Sequence, residues 1–581
     1  MRQSGLKIGG LHASGEDRQL LVLGYHGTLQ PDPYLCIAGS WSATSEGGVC
    51  VGSPPQMEAL IEPLVGKAML GLELRMPSRH RVFGGELISV DLLLEFLRER
   101  LRGILTLTVA ACLERGEVST AAMERYLRVE YPRLYPLLEH AISDWVAATT
   151  TFHERLHRDE ARLAKWLGFA RLPPVESVAG TASDTHPGGH GVLRVVFKGG
   201  LRVYYKPRSI SGEWLWHRLL EMIAEMEPAL RLQAGRVLEG STPARYGWAE
   251  SVLTQCDMDG RAGGSEYWHA AGAVLCLAHH VSMTDLHLGN LLATQNGPAI
   301  TDAECLGVPR LVDVSGHGTP RVGEAITSFL KSLMNTGLLP DGVIRDVPDV
   351  SGLFGAAGAV PSLGLPRWIV EPNGHCGLVA APAALLDHGN APGKVSMLAA
   401  LPDLLAGYRH AAGVLLCLRK VLTSPGSRWR SVLERCHAPR IVVRDTLGYS
   451  LLLSRSLEPR YLLAGDQRRS DLRRVLGTNA PAAFPKALVR AELNALLRLH
   501  VPRLIALPGT RTLASGSGRP LVRNFARCTP AEEVILRMEA LTAEKLETVH
   551  IPALLLAMLR SRGACTGTGE CSVASSHLPV V

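Results

Sequence analysis

The sequence contains no apolar run of the roughly 18 to 20 residues needed to cross a bilayer. Its longest candidates, such as Ile551 to Leu559, read as buried helix. The N-terminus, Met1-Arg2-Gln3-Ser4-Gly5, lacks the charged-then-apolar order of a secretory signal. These absences predict a cytoplasmic chain with no membrane insertion. The 12 cysteines are scattered without a Cys-x-x-Cys pair or matched spacing, so they read as mostly reduced core thiols. His375-Cys376 is one adjacent pair without partners, short of the closed ligand set of a structural zinc site, and no zinc is expected. No repeat period emerges. Hydrophobic residues at 46% and charged residues at 20% exclude a wholly disordered or fibrous chain of this length, 581 residues.

Positive charge is present and uneven. Residues 401–530 carry 22 Lys and Arg against 7 Asp and Glu, whereas the whole chain has a net charge of only +7. Such a basic stretch either attracts acidic or phosphorylated partners or forms a solvated Arg-rich helical surface. No aromatic-rich platform accompanies it, so no nucleic-acid partner is expected.

Apolar residues at three- and four-residue spacing predict helix over Leu92 to Leu101 and over Ala121 to Val146. The pattern then changes. Gly191 to Phe197 and Leu201 to Lys206 are β-rich and flank Lys198-Gly199-Gly200, a hairpin turn signal. A helix follows from Gly212 to Ile223, with another strand within Tyr246 to Gln255 and a helix over Glu266 to His280. Gln295-Asn296-Gly297 marks a second hairpin between Leu291–Ala293 and Ala299–Thr301. From about 320 the chain reads as helical, with a Gly/Pro-rich interruption at 351–396 and a Gly/Ser/Thr-rich tail after about 560. A small sheet followed by a helical lobe is a kinase-type order of elements.

Asp285-Leu286-His287-Leu288-Gly289-Asn290 follows the predicted helix, and Asp302-Ala303-Glu304 follows the second hairpin. Phosphoryl transfer uses a carboxylate at the acceptor hydroxyl, then an Asn and a second Asp on the metal. Asp285 and Asn290 are five positions apart, the protein-kinase spacing, and Asn290 and Asp302 are twelve apart. Lys206 ends a strand upstream, where a kinase places its phosphate-neutralising lysine. On these residues alone two readings stand, a phosphotransferase site or an ordinary α/β protein with exposed polar loops. An ordinary protein kinase is disfavoured, because no GxGxxG loop precedes Lys206 and Ala303-Glu304 stands in place of Phe-Gly. Asp184 and His186 lie just before the first strand, followed by Gly188-Gly189, which would let backbone approach a phosphate or would simply make a turn.

These segments, with Tyr205-Lys206-Pro207-Arg208, Trp248-Ala249-Glu250, Gly337-Leu338-Leu339-Pro340, Arg440-x-x-x-Arg444-x-Thr446-x-x-Tyr449 and His500-Val501-Pro502, resemble the dehydratase domain of class II lanthipeptide synthetases over about 160–510. The resemblance implies an α+β fold of lipid-kinase-like, bilobal form, with a small β-rich lobe, a large helical lobe and an N-terminal helical region. It implies ATP-dependent phosphorylation of Ser/Thr in a leader-bearing, ribosomally made precursor peptide, then elimination of phosphate to dehydroalanine or dehydrobutyrine. Lys206 would contact ATP phosphates, and Asn290 and Asp302 would hold Mg²⁺. Asp285 would orient or deprotonate the hydroxyl. Asp184, His186, His287 and Glu304 would complete the site, and Arg440 and Thr446 would serve elimination. Arg suits a departing phosphate through its planar fork. In β-rich sequence Arg440, Arg444 and Thr446 would share one face.

The expected divisions are 1–165, mainly helical; 166–265, the β-rich lobe; 266–545, the helical lobe with an elimination segment near 440–449; and 546–581, a helix and tail. Family members of full length continue into a zinc-binding cyclase domain, whereas the chain ends at 581 without a Cys/His set after 510, so a stand-alone dehydratase is expected, with other peptide-modifying enzymes as further partners. His500 stands where the family usually has Asp. The alternatives are a peptide or small-molecule kinase without elimination, and a degenerate scaffold that binds the leader.

Overall fold

The computed structural model describes residues 50–562 apart from short stretches: 52, 117–118, 182–185, 187, 190, 243–244, 252–263, 312–321, 341–348, 356–357, 371–375, 386–396, 445 and 479–484. The first 49 residues, the tail after 562, Asp184 and His375 therefore lie outside the described residues. The fold is a mixed α+β one, in which helices dominate and the sheets are small.

Helices α1 (Pro55–Arg75), α2 (Asp91–Glu114), α3 (Thr120–Glu130) and α4 (Leu134–Leu167) come first. The periodic stretch that reads as one helix over 121–146 is two, because Pro132 cannot donate a backbone hydrogen bond and the chain turns there. Helix α4 turns an apolar stripe inward at Leu134, Leu138, Ala141, Trp145, Phe152 and Leu156. It ends at Gly168, whose φ of 82° is the left-handed cap that glycine adopts without strain.

Five strands follow: β1 (Val175–Gly180), β2 (Leu193–Phe197), β3 (Arg202–Lys206), β4 (Val237–Glu239) and β5 (Gly247–Glu250), in antiparallel order β1-β2-β3-β5-β4. Gly199 and Gly200, at φ 91° and 84°, make the β2–β3 turn. One face of this sheet packs on α4, where Phe152, Tyr205 and Trp248 stack edge to face and tilted. The Trp248 indole donates to Asp159 of α4 at 2.9 Å. The N-terminal helices and the sheet thus share one apolar core.

Between β3 and β4, helix α5 (Ser211–Met226) turns the other way. Leu215, Trp216, Leu219 and Ile223 join a second core with α6 (Ser265–His280), α7 (Val322–Met334) and α8 (Met397–Thr423). Strands β6 (Leu291–Thr294) and β7 (Gly297–Ile300) form the hairpin after α6. The Gly/Pro-rich interruption holds a long antiparallel pair, β8 (Gly358–Val370) and β9 (Cys376–Leu385), which its Gly, Pro and Ala content hides from strand propensity. Ile551–Arg562 forms the expected buried helix, and no helix of the described residues is long and apolar enough to cross a membrane.

Helices α6 and α8 touch backbone to backbone. A Cβ on Gly272 would lie 1.9 Å from the Leu404 carbonyl oxygen, and one on Gly407 would lie 1.7 Å from that of His269. Among the described residues, nothing lies within 4 Å of a Cβ on Gly413 of α8. Gly407→Ala is therefore expected to cost about 3 kcal/mol or more by forcing the helices apart, whereas Gly413→Ala is expected to stabilise by about 0.5–1 kcal/mol through helix propensity. Urea denaturation of the two variants measures both; equal effects would contradict the close crossing.

Candidate active site

Strand β3 ends at the junction of the two cores, and it ends in Lys206. Its Nζ donates to Glu213 Oε1 at 2.8 Å and to the Thr301 carbonyl at 2.6 Å. Glu213 lies in the first turn of α5, seven residues on. The helix reaches the hairpin exit because residue 212 is glycine: a Cβ there would sit 2.1 Å from the Ala303 oxygen. His437 braces the same contact, its Nδ1 at 2.8 Å from the Ser211 hydroxyl and its Nε2 at 2.7 Å from the Leu306 carbonyl.

Thr301 also joins Lys206 to Asn290. Its N–H donates to the Asn290 carbonyl at 3.0 Å, closing the open end of the β6–β7 hairpin. Asn290 leads into one strand and Asp302 leaves the other, so Lys206, Asn290 and Asp302 emerge side by side. The Asn290 amide donates to the Asp285 carbonyl at 2.8 Å and lies 3.0 Å from His287 Nε2, and His287 Nδ1 accepts from Gly289 N–H. Asp285 is a non-glycine residue at φ 69°, a conformation that costs on the order of 1 kcal/mol or more. The next residue holds it there: Leu286 N–H donates to Thr336 O at 2.9 Å, and a Cβ on Gly337 or Gly352 would meet the Leu286 backbone at 3.0 or 2.4 Å. The Asp285 carboxylate, buried, has the Cys305 thiol 3.7 Å away.

Arg208, which the sequence motif contains without a role, is the hub. Its guanidinium reaches Glu213 at 2.6 Å, Asp302 Oδ1 at 2.6 Å and Glu304 at 3.2 Å. Glu304 in turn takes Arg440 at 2.7 Å and Arg503 at 3.0 Å. Burial opposes the charged carboxylates, but Arg208, with Lys206 at Glu213 and with Arg440 and Arg503 at Glu304, holds both well below the usual range. His186 joins this group through its charge environment. Burial, then Arg440, lowers its pKa to about 3 against the pull of Glu304, and its Nδ1 lies 3.3 Å from the Val501 carbonyl. It is neutral at physiological pH.

Not every expected residue falls in place. Arg440 makes an isolated bridge to Ile505, but residues 441–444 are not a strand and Thr446 opens helix α10 (Thr446–Arg455). Arg444 turns to Glu492 at 2.7 Å, which also accepts from Tyr449. The expected shared β face of Arg440, Arg444 and Thr446 is therefore corrected: helix start and ion pair override the propensity of Val442-Val443. Thr446 is buried with its hydroxyl unpartnered among the described residues. Gly189, at φ 72°, meets the Asp144 backbone of α4 rather than open space, its absent Cβ 2.8 Å from the Asp144 carbonyl oxygen. His500, where the resembling family has Asp, faces that same Asp144 at 2.8 Å. Glu213 and Arg503 were missed by sequence reasoning; a carboxylate in the first turn of the helix after the strand lysine was the available signal for Glu213.

Oxygen ligands suited to magnesium are present. Asp302 keeps Oδ2, and Asn290 its amide oxygen, without a hydrogen bond among the described residues, and both residues are only partly buried. Among the described residues no cluster of three or more His, Cys, Asp and Glu is arranged for a metal.

Glu213→Ala would strand Lys206 and part of Arg208 in a buried setting, with an expected loss of about 3–5 kcal/mol, read by chemical denaturation; a loss below about 1 kcal/mol would mean water screens the pair. The pH dependence has a definite sign. Burial lowers His437 from 6.5 to about 4, so the unfolded chain takes up a proton first as pH falls. The associated stability is complete above 6.5 and is lost as pH falls toward 4. His437→Gln is expected to flatten the stability–pH profile in that window by about 1.4 kcal/mol per pH unit; an unchanged slope would show that the histidine is protonated in the fold.

The chain is also similar to known proteins. The lacticin 481/lactococcin biosynthesis protein LcnDR2 of Lactococcus lactis subsp. lactis is 20% identical over 402 residues, which take in 66% of this chain and 41% of that protein. The chain thus spans well under half the length of this relative. A family model described as a domain of unknown function, DUF4135, matches residues 131–506. That match covers more than half of the sequence, and the chain belongs to the DUF4135 family.

Proposed function

We propose that this chain is an ATP-dependent dehydratase of a ribosomally made precursor peptide in lanthipeptide-type biosynthesis, phosphorylating a Ser or Thr side chain and then expelling the phosphate. The observation that carries the reading is the convergence at the hairpin exit. Lys206, paired with a helix carboxylate, stands beside Asn290 and Asp302, and these adjoin an arginine cluster built around Glu304. The first group suits phosphoryl transfer and the second suits a phosphate leaving group. Similarity to a lacticin 481/lactococcin biosynthesis protein supports the peptide as substrate.

In the first half-reaction Lys206 positions nucleotide phosphates, and Glu213 fixes its direction so that no reorganisation is needed. Asp285 orients the substrate hydroxyl and accepts its proton as the oxygen takes the phosphoryl group. Magnesium, when held by Asn290 and Asp302, supplies neutralisation of phosphate charge. In the second, a base removes the Cα hydrogen, a double bond forms between Cα and Cβ, and the Cβ–O bond breaks. Phosphate departs with the electron pair, and Arg440 offsets its growing charge. His186, neutral beside Arg440, gains basicity when a phosphate dianion enters the same field.

A second reading, a kinase that stops at the phosphopeptide, is favoured by the strength of the Lys206–Glu213 arrangement alone. Incubation of the chain with a neighbouring precursor peptide, ATP and Mg²⁺, followed by mass measurement, separates the two. Dehydration removes about 18 Da per site and phosphorylation alone adds about 80 Da. Wild type is expected to yield the dehydrated product, Arg440→Ala to accumulate phosphopeptide and Lys206→Met to leave the peptide unmodified. Phosphopeptide as the wild-type end product would leave only the kinase reading.

A further inference from the structure

We propose that Glu304 is a resident anion that keeps Arg208, Arg440 and Arg503 assembled, and that the phosphate of a phosphorylated Ser or Thr side chain displaces it. The choice of phosphomonoester rests on the dehydratase reading; the anion exchange does not.

The three guanidiniums come from separate parts of the chain: the β3–α5 connection, the segment after α9 (Arg428–Arg435), and the residue before strand β10 (Leu504–Ala506). All three reach one carboxylate, Arg208 while also holding Glu213 and Asp302. Arg440 takes Oε1 at 2.7 Å, while Arg503 and Arg208 take Oε2 at 3.0 and 3.2 Å. One carboxylate supplies a single charge and two oxygens. A phosphomonoester supplies nearly two charges and three terminal oxygens, which matches the donors better. Arg503 holds a donor in reserve, since its Nε is buried with no acceptor among the described residues.

The exchange moves the Glu304 side chain and leaves its backbone bonds in place. Glu304 N–H donates to Asp302 Oδ1 at 3.0 Å, and its carbonyl accepts from Arg440 N–H at 2.8 Å. The backbone is therefore pinned at both faces while the carboxylate swings away. Stability alone is a weak account of the cluster, because buried ion pairs often return no more than their desolvation costs.

The test is calorimetric binding of inorganic phosphate, O-phosphoserine and metal-free ATP to the full chain at constant ionic strength. Glu304→Gln is expected to bind phosphate and O-phosphoserine about tenfold tighter or more, and Arg503→Gln about tenfold weaker, with Arg503→Lys between Arg503→Gln and wild type. ATP affinity is expected to hold within about twofold in Glu304→Gln, because nucleotide phosphates meet Lys206. Phosphate binding that is no tighter in Glu304→Gln overturns the proposal. If that variant does not fold, Arg503→Gln decides: unchanged phosphate affinity overturns it and the predicted weakening supports it. Tightening of ATP but not of O-phosphoserine would assign the arginines to nucleotide and overturn the proposal. If wild type dehydrates no precursor peptide yet Glu304→Gln still tightens phosphate, the dehydratase reading falls and the anion site stands.

Discussion

The Glu304 carboxylate is shared by three guanidinium groups, and most of the site depends on that shared charge. Arg208 ties it to Asp302 and Glu213; Arg440 and Arg503 tie it to two later parts of the chain. In a buried setting each guanidinium is tolerable only while a counter-anion remains. The ion cluster therefore joins the hairpin exit to the arginine segment, while Lys206 keeps its own partner in Glu213.

The junction of the two apolar cores explains the choice of residues around it. The sheet belongs to the core of the N-terminal helices, while α5 belongs to the core of α6 and α8. Lys206 and Glu213 face each other across the change from one to the other. Gly212 lets α5 close onto Ala303, and His437 fills the remaining space with both ring nitrogens partnered. On the other side, strain at Asp285 is held by the Thr336–Gly337 and Gly352 backbone. Fixed donors and a fixed carboxylate are what phosphoryl transfer requires, since positioning and electrostatics supply most of its acceleration.

The basic stretch at 401–530 is partly internal. Arg444 pairs with Glu492, Arg455 with Asp471, and Arg468 is buried against the carbonyls of Leu496, Leu497 and Ser456. A net-charge count does not distinguish these from arginines facing solvent, because burial depends on contacts remote in sequence.

Local order was legible. Period-two and period-3.6 patterns located β2, β3, α5 and α6, and glycines marked both hairpin turns, because these signals act over a few neighbouring residues. The spacing of Asp285, Asn290 and Asp302 also announced itself, since a short loop and one hairpin connect them. Strands β8 and β9 were not legible, because pairing rather than propensity makes them strands. The helical start at Thr446 and the turning of Arg444 to Glu492 escaped for the same reason. The sequence by itself determined which side chains were available and which short loops would carry them. Only the tertiary structure decided that Arg208, Arg440 and Arg503 meet at one carboxylate, because the energy of buried charge depends on distance and dielectric, and neither is a property of sequence separation.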